Sequence, residues 1–118
     1  MQRITLKNVS KATVLGQEIA VADSFGSRFL GLMGRKGLQP GEGLWIRPSS
    51  GVHTMWMRFT IDVVALDRNR RVCALWPQLR PWRMSPVSMK VASVVELPPG
   101  TIAQQGIELG DQLEPAAA

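Results

Sequence analysis

Histidine and cysteine each occur once in the 118 residues, as His53 and Cys73, and tyrosine does not occur at all. A lone cysteine excludes an intramolecular disulfide, so packing must hold the fold. Secreted domains of this size commonly carry bridges, which points this chain toward a reducing compartment. One His and one Cys, with no CxxC, cannot build the usual zinc sites. No apolar run approaches the ~20 residues needed to cross a bilayer, and the opening MQRITLKNVSKATVLG has no signal-like apolar stretch. The expectation for the chain as given is therefore cytoplasmic, with an envelope location reserved for a form carrying a further segment. Acidic residues are in short supply, 9 against 14 Lys and Arg, for a net charge of +5 and a pI near 10.4. That balance favours anionic partners without naming one. Walker, dinucleotide and deaminase signatures are missing, and Ser49, Ser50 and Ser85 lie in Pro/Gly turns without a nucleophile elbow. No catalytic residue and no cofactor are expected.

What the sequence does contain is the material of one small domain over residues 1–118, frayed at 115–118. Hydrophobic residues make up 45% and charged residues 19%, a globular balance. Short strands are expected at Arg3–Leu6, Ala12–Leu15, Glu18–Ala22 and Leu44–Ile46, with a tight hairpin at Gly16-Gln17. Asp23 or Ser24 caps a short helix whose apolar face uses Phe25, Phe29, Leu32 and Met33. His53 to Asp67 is the most strand-like segment, alternating at first and then nearly continuously apolar from Ile61 to Leu66, as for a strand covered on both faces. An Arg68–Arg71 turn returns the chain into Val72 to Trp76. Pro77, Pro81 and Pro86 restrict the next stretch to edge strand or surface loop. Met89 to Leu97 restores a strand, Thr101 caps a second short helix of one to two turns through Gln105 with Gly106 at its end, and Gln112 to Glu114 is a last strand. About eight short strands with two short helices predict a mainly β (α+β) fold, a small antiparallel barrel, closed or nearly closed. Its core is expected from Phe29, Leu32, Ile61, Val63, Val64, Leu66, Val72, Leu75, Val91, Val94, Val95 and Leu97.

Three separated motifs carry a family resemblance. They are Arg28-Phe29-Leu30-Gly31-Leu32-Met33-Gly34-Arg35, the run from His53 to Asp67, and Val95-Glu96-Leu97-Pro98-Pro99-Gly100-Thr101 followed by Gly106-Ile107-Glu108-Leu109-Gly110-Asp111. In order and spacing over residues 12 to 114 they resemble the bacterial and archaeal domain-of-unknown-function family number 192. Thr60 stands where that family usually has Pro, and Ala65 where Phe is common. The resemblance implies a small barrel-like β-rich domain with two helices, and no activity. Many relatives carry an export signal or lipid anchor, for which this chain shows no segment.

Two places combine polar chemistry with apolar sequence. Asp62 interrupts Ile61–Leu66, Glu96 interrupts Val94–Leu97, and an unpaired carboxylate in a core costs several kcal/mol. Arg58 is the expected partner of Asp62 across a bend near Thr60. The functional alternative sets His53, Arg58, Asp62 and Glu96 around one barrel mouth as a polar ligand site. The second place is the Pro/Trp stretch Leu75–Met84. Exposed Trp76, Trp82, Arg80 and Arg83 there have the composition of a partner surface, while the alternative is a lid with the tryptophans plugged inward. Trp45, Trp56, Trp76 and Trp82 interleaved with Arg47, Arg58, Arg80 and Arg83 raise single-stranded nucleic-acid binding, including a regulatory role, as a second reading. A third is Cu(I) held by His53, Met55 and Met57 on one strand face, against a core face in which Met fills gaps. Cys73, in an apolar strand, is expected to be an inert buried thiol. The reading placed first is a small binding module for a ligand or a protein partner.

Overall fold

The computed structural model describes residues 1–30, 35–54 and 57–116, the side chains of Phe25, Phe29 and Leu30 excepted. Leu32, Met33, Met55 and Trp56, all named from the sequence, lie outside these described residues. The elements run β1 (Arg3–Asn8), β2 (Thr13–Ala22), α1 (Phe25–Leu30), β3 (Glu42–Ile46), β4 (Ile61–Leu66), β5 (Val72–Leu79), β6 (Ser93–Leu97), α2 (Thr101–Gln105) and β7 (Leu113–Pro115). The strands form one seven-stranded sheet in the order β5-β4-β6-β3-β2-β1-β7.

The apolar run Ile61–Leu66 becomes a central strand buried at every residue, because both sheet faces are covered there. One face gathers Leu6, Ile19, Trp45, Val64, Val95, Leu97 and Leu113, closed by Ile102 of α2 and by Ile107. The other gathers Leu44, Ile61, Val63, Ala65 and Val94 under Met57 and Val91. Of the expected core residues whose side chains are described, all are buried but Leu75, which is half-buried against the first cluster. The first face draws side chains from strands at both ends of the sheet, so the sheet curls around it. Its outer strands meet at a single bridge, Arg71 to Gln112, flanked by the Val72 amide donating to Asp111 O (2.9 Å) and the Leu113 amide to Arg70 O (3.0 Å). The sheet is thus curled almost into a barrel but not closed by a ladder.

The structure corrects four details. Residues 13–22 form one continuous strand, not two around a Gly16-Gln17 hairpin. Gly16 answers a close approach instead, since a Cβ there would strike the Gly41 carbonyl oxygen and Ile19. The β2–β3 pair is parallel, the chain crossing over through α1. Among the described residues from His53 to Thr60 there is one isolated bridge, at His53, and no strand, so the strand-like alternation is not realised there. Finally, β5 runs past Trp76 to Leu79 and carries Pro77 on the sheet edge, where the missing N–H costs no ladder bond.

Candidate functional site

The end of β5 is bulged, and the bulge follows from its residues. Ile61 pairs with Leu79 and Val63 with Trp76, so Pro77 and Gln78 together face Asp62. Gln78 takes a left-handed φ of 52°, which turns its amide inward. That amide donates to Asp62 Oδ1 at 2.9 Å, and the Ile102 amide donates to Oδ2 at 2.8 Å. Asp62 is fully buried, and these two donors answer its desolvation. They also explain how α2 starts. Its N-cap is Gly100, which supplies no side-chain cap, and the carboxylate of Asp62 caps the helix across the sheet. One buried side chain thereby fixes both the bulge and the helix.

Beyond the bulge, Trp76, Pro77, Gln78, Leu79, Arg80 and Arg83 line an open cleft of ≈450 Å³. Its far wall is held by Thr54, fully buried. The Thr54 hydroxyl donates to Arg80 O (2.6 Å) and accepts from the Arg83 amide (2.8 Å). The Thr54 amide donates to Arg83 O (2.8 Å), and its carbonyl accepts from the Trp82 amide (3.0 Å). Trp82 stands at φ 63°, and this lattice of bonds holds it there. The chain then runs back along 50–54 as a strap, through a His53–Met84 bridge, Ser85 N to Val52 O (2.9 Å) and Ser88 N to Ser50 O (3.2 Å). Trp76 is half-buried, and Arg80 and Arg83 are exposed. Among the described residues, neither guanidinium lies within ion-pair distance of a carboxylate.

The structure brings Trp76, Arg80 and Arg83 together at the cleft, while Asp62 lies buried behind the bulge on the opposite sheet face from Trp76. Arg58 is exposed and does not meet Asp62, whose oxygens are taken by backbone amides. His53 is exposed on the strap. Glu96 points to the sheet face opposite Asp62, in a cross-strand row Ala20–Leu44–Glu96–Val63–Trp76. It is 3% exposed, no donor reaches it among the described residues, and burial pushes its carboxyl up to about 8, so it is neutral at pH 7. A common mouth for His53, Arg58, Asp62 and Glu96 is therefore not formed. The copper set is divided too, with His53 exposed, Met57 buried and Met55 outside the described residues. Burial raises the Cys73 thiol, which suits an inert side chain.

Sequence reasoning missed a second cleft, of ≈440 Å³, lined by Asp23, Trp45, Arg47, Asp67, Arg68 and Arg70 among others. Trp45 is buried, donates from Nε1 to Ser93 Oγ (3.0 Å) and carries the Arg47 guanidinium 4.6 Å over its ring. Arg47 lies 3.7 Å from Asp23, and Arg70 makes a two-pronged contact with Glu114, closest at 2.8 Å. The cations of this cleft are largely neutralised by their own surroundings. Arg47 following Trp45 was the available signal, but nothing in the sequence placed it beside the 67–71 turn.

Comparison with known proteins agrees with the motifs. The model of domain-of-unknown-function family 192, described as "Uncharacterized ACR", matches residues 5–115. A UPF0127 protein of Pyrococcus furiosus is 38% identical over 113 residues, covering 91% of this chain and 94% of the relative. One from Thermococcus sibiricus is 32% identical over 117 residues, covering 92% and 73%. Two crystal structures share the fold at 22% identity. A protein of unknown function from Novosphingobium aromaticivorans has a TM-score of 0.81 over 95% of this chain and 83% of its own. A Sinorhizobium meliloti protein described as a candidate transcription regulator has a TM-score of 0.80 over 96% and 92%. The chain belongs to domain-of-unknown-function family 192.

Proposed function

We propose that this member of family 192 is a binding module whose site is the cleft beside the β5 bulge. Its ligand is a small molecule with an apolar or aromatic body and a negatively charged group. One observation carries the reading: Arg80 and Arg83, whose guanidiniums have no carboxylate partner among the described residues, line a cleft of ≈450 Å³ together with half-buried Trp76. That volume is in the range of small-molecule sites, and an apolar wall with a few fixed polar groups is their usual make-up. The Asp62-pinned bulge and the Thr54 lattice hold the walls in place before binding, which lowers the ordering cost. Burial of Trp45, and half-burial of Trp76, argue against a row of stacking platforms for single-stranded nucleic acid.

The test is a thermal-shift and fluorescence titration against a panel of aromatic and aliphatic carboxylates and phosphates. Aromatic anions should raise the melting temperature and quench Trp76, and uncharged analogues should not. Arg80→Ala and Arg83→Ala should each weaken binding by about tenfold or more, as expected for a charge-assisted bond. Binding that is indifferent to both substitutions, or no binding across the panel, refutes the assignment.

A further inference from the structure

The strap that follows the cleft presents large apolar side chains to solvent. Trp82 is 51% exposed, Met84 65%, Val87 73% and Met89 103%. Isolated exposed apolar residues are ordinary, but here four fall within eight positions of one segment. Disorder does not account for them, because the strap backbone is bonded to 50–54 at Thr54, Val52 and Ser50 and bridged at His53. The strap's own charges are of one sign. From Arg80 to Lys90 the chain carries Arg80, Arg83 and Lys90 and no acidic residue. Arg83 and Lys90 lie on the strap itself and are exposed.

We infer that the strap docks this protein onto an anionic lipid surface, with Trp82, Met84, Val87 and Met89 entering the headgroup boundary and Arg83 and Lys90 meeting lipid phosphates. Two features select a bilayer over a folded partner. Met89 is as exposed as a side chain can be, so the ridge stands proud and needs a deformable phase rather than a matching pocket. A Trp beside exposed basic groups is also the pairing that settles at a membrane interface. No helix among the described residues is long and apolar enough to cross a membrane. The inference shares Arg83 with the ligand cleft but rests on Met84, Val87, Met89 and Lys90, which do not line it.

The experiment is co-sedimentation of the full chain with vesicles of phosphatidylcholine alone and of phosphatidylcholine mixed with phosphatidylglycerol, at low and high salt. Binding is expected only to the mixed vesicles, weakened by salt, with a blue shift of Trp emission that is lost in Trp82→Ser. Met84→Ser/Met89→Ser, both at exposed sites, should abolish the blue shift and most of the sedimentation while leaving the far-UV circular dichroism unchanged. Lys90→Glu should lower partitioning about fivefold or more. The inference is overturned if mixed vesicles bring down no protein at low salt. It is equally overturned if Met84→Ser/Met89→Ser binds like the parent, which would reduce the effect to bulk charge. It also fails if sedimentation velocity shows a dimer that the same pair of substitutions dissociates, which would make the ridge a contact between copies.

Discussion

Glu96 makes the stability of this protein fall as pH rises through neutrality. In the unfolded chain its carboxyl loses its proton near 4.5, whereas in the folded chain burial in the Leu44–Glu96–Val63 row holds the proton to about 8. Between those values the folded state binds more protons than the unfolded one. Stability from this group is therefore whole below the unfolded value and is lost as pH rises through the folded one. At 1.36 kcal/mol per pKa unit, going from about pH 5 to about pH 8 removes on the order of 3 kcal/mol. That is a large share of the ~5–15 kcal/mol by which domains are stable. Urea denaturation followed by circular dichroism at several pH values measures it directly. Glu96→Gln keeps the shape and abolishes the titration, so its stability should match the parent near pH 5 and stay level to pH 8. Cys73, raised by burial from an already higher value, titrates above this window. A parent that is flat over the range, or a Gln variant with the same slope, refutes the reasoning.

Asp62→Asn replaces one acceptor with an NH₂ group facing an amide donor, and should cost ~2–3 kcal/mol in urea melts while speeding hydrogen exchange at Gln78 and Ile102. Asp111 behaves in the opposite sense to Glu96. Burial alone would raise its carboxyl, but hydrogen bonds from Asn8, the Glu108 amide and Lys11 outweigh that and hold it below the ordinary range. Its contribution is present above the unfolded value and lost as pH falls through the folded one, so Asp111→Asn should flatten the acid limb of the stability profile.

Segments whose residues alone dictate their environment were readable in the sequence. Ile61–Leu66 could only be a doubly covered strand, and Pro98-Pro99-Gly100 before Thr101–Gln105 with Gly106 after it fixed a short helix within a residue. Where long-range contacts decide, the reading failed. Gly16 resembles a turn glycine, yet its reason is the Gly41 carbonyl brought alongside by the crossover through α1. Asp62 was correctly singled out as needing donors, but the donors are main-chain amides from β5 and α2, which composition cannot reveal. Asp62 and Glu96 looked like members of one site because both interrupt apolar runs. Strand pairing places Asp62 opposite Leu97 and Val63 opposite Glu96, and the period of two then sends the carboxyls to opposite faces. The exposure of Arg80 and Arg83 was legible because Pro77 and Pro81 keep that stretch at the sheet edge, whereas the half-burial of Trp76 against the second core cluster was not.

The pairing of β1 with β7 governs how the chain reaches its fold. Leu6 is matched with Pro115, Lys7 with Glu114 and Asn8 with Leu113, so the first strand waits for the last. No local contact can shorten that loop, and topologies of such high contact order fold in milliseconds to seconds. On the ribosome the delay is longer, because at ~5–20 residues per second the partner of β1 follows it by on the order of ten seconds. Throughout that interval β1 has an open edge capable of pairing with a neighbouring nascent chain. Exposed Lys7 keeps a charge on that edge, and β7, when it arrives, is three residues long and ends on Pro115, too short to recruit a strand of its own.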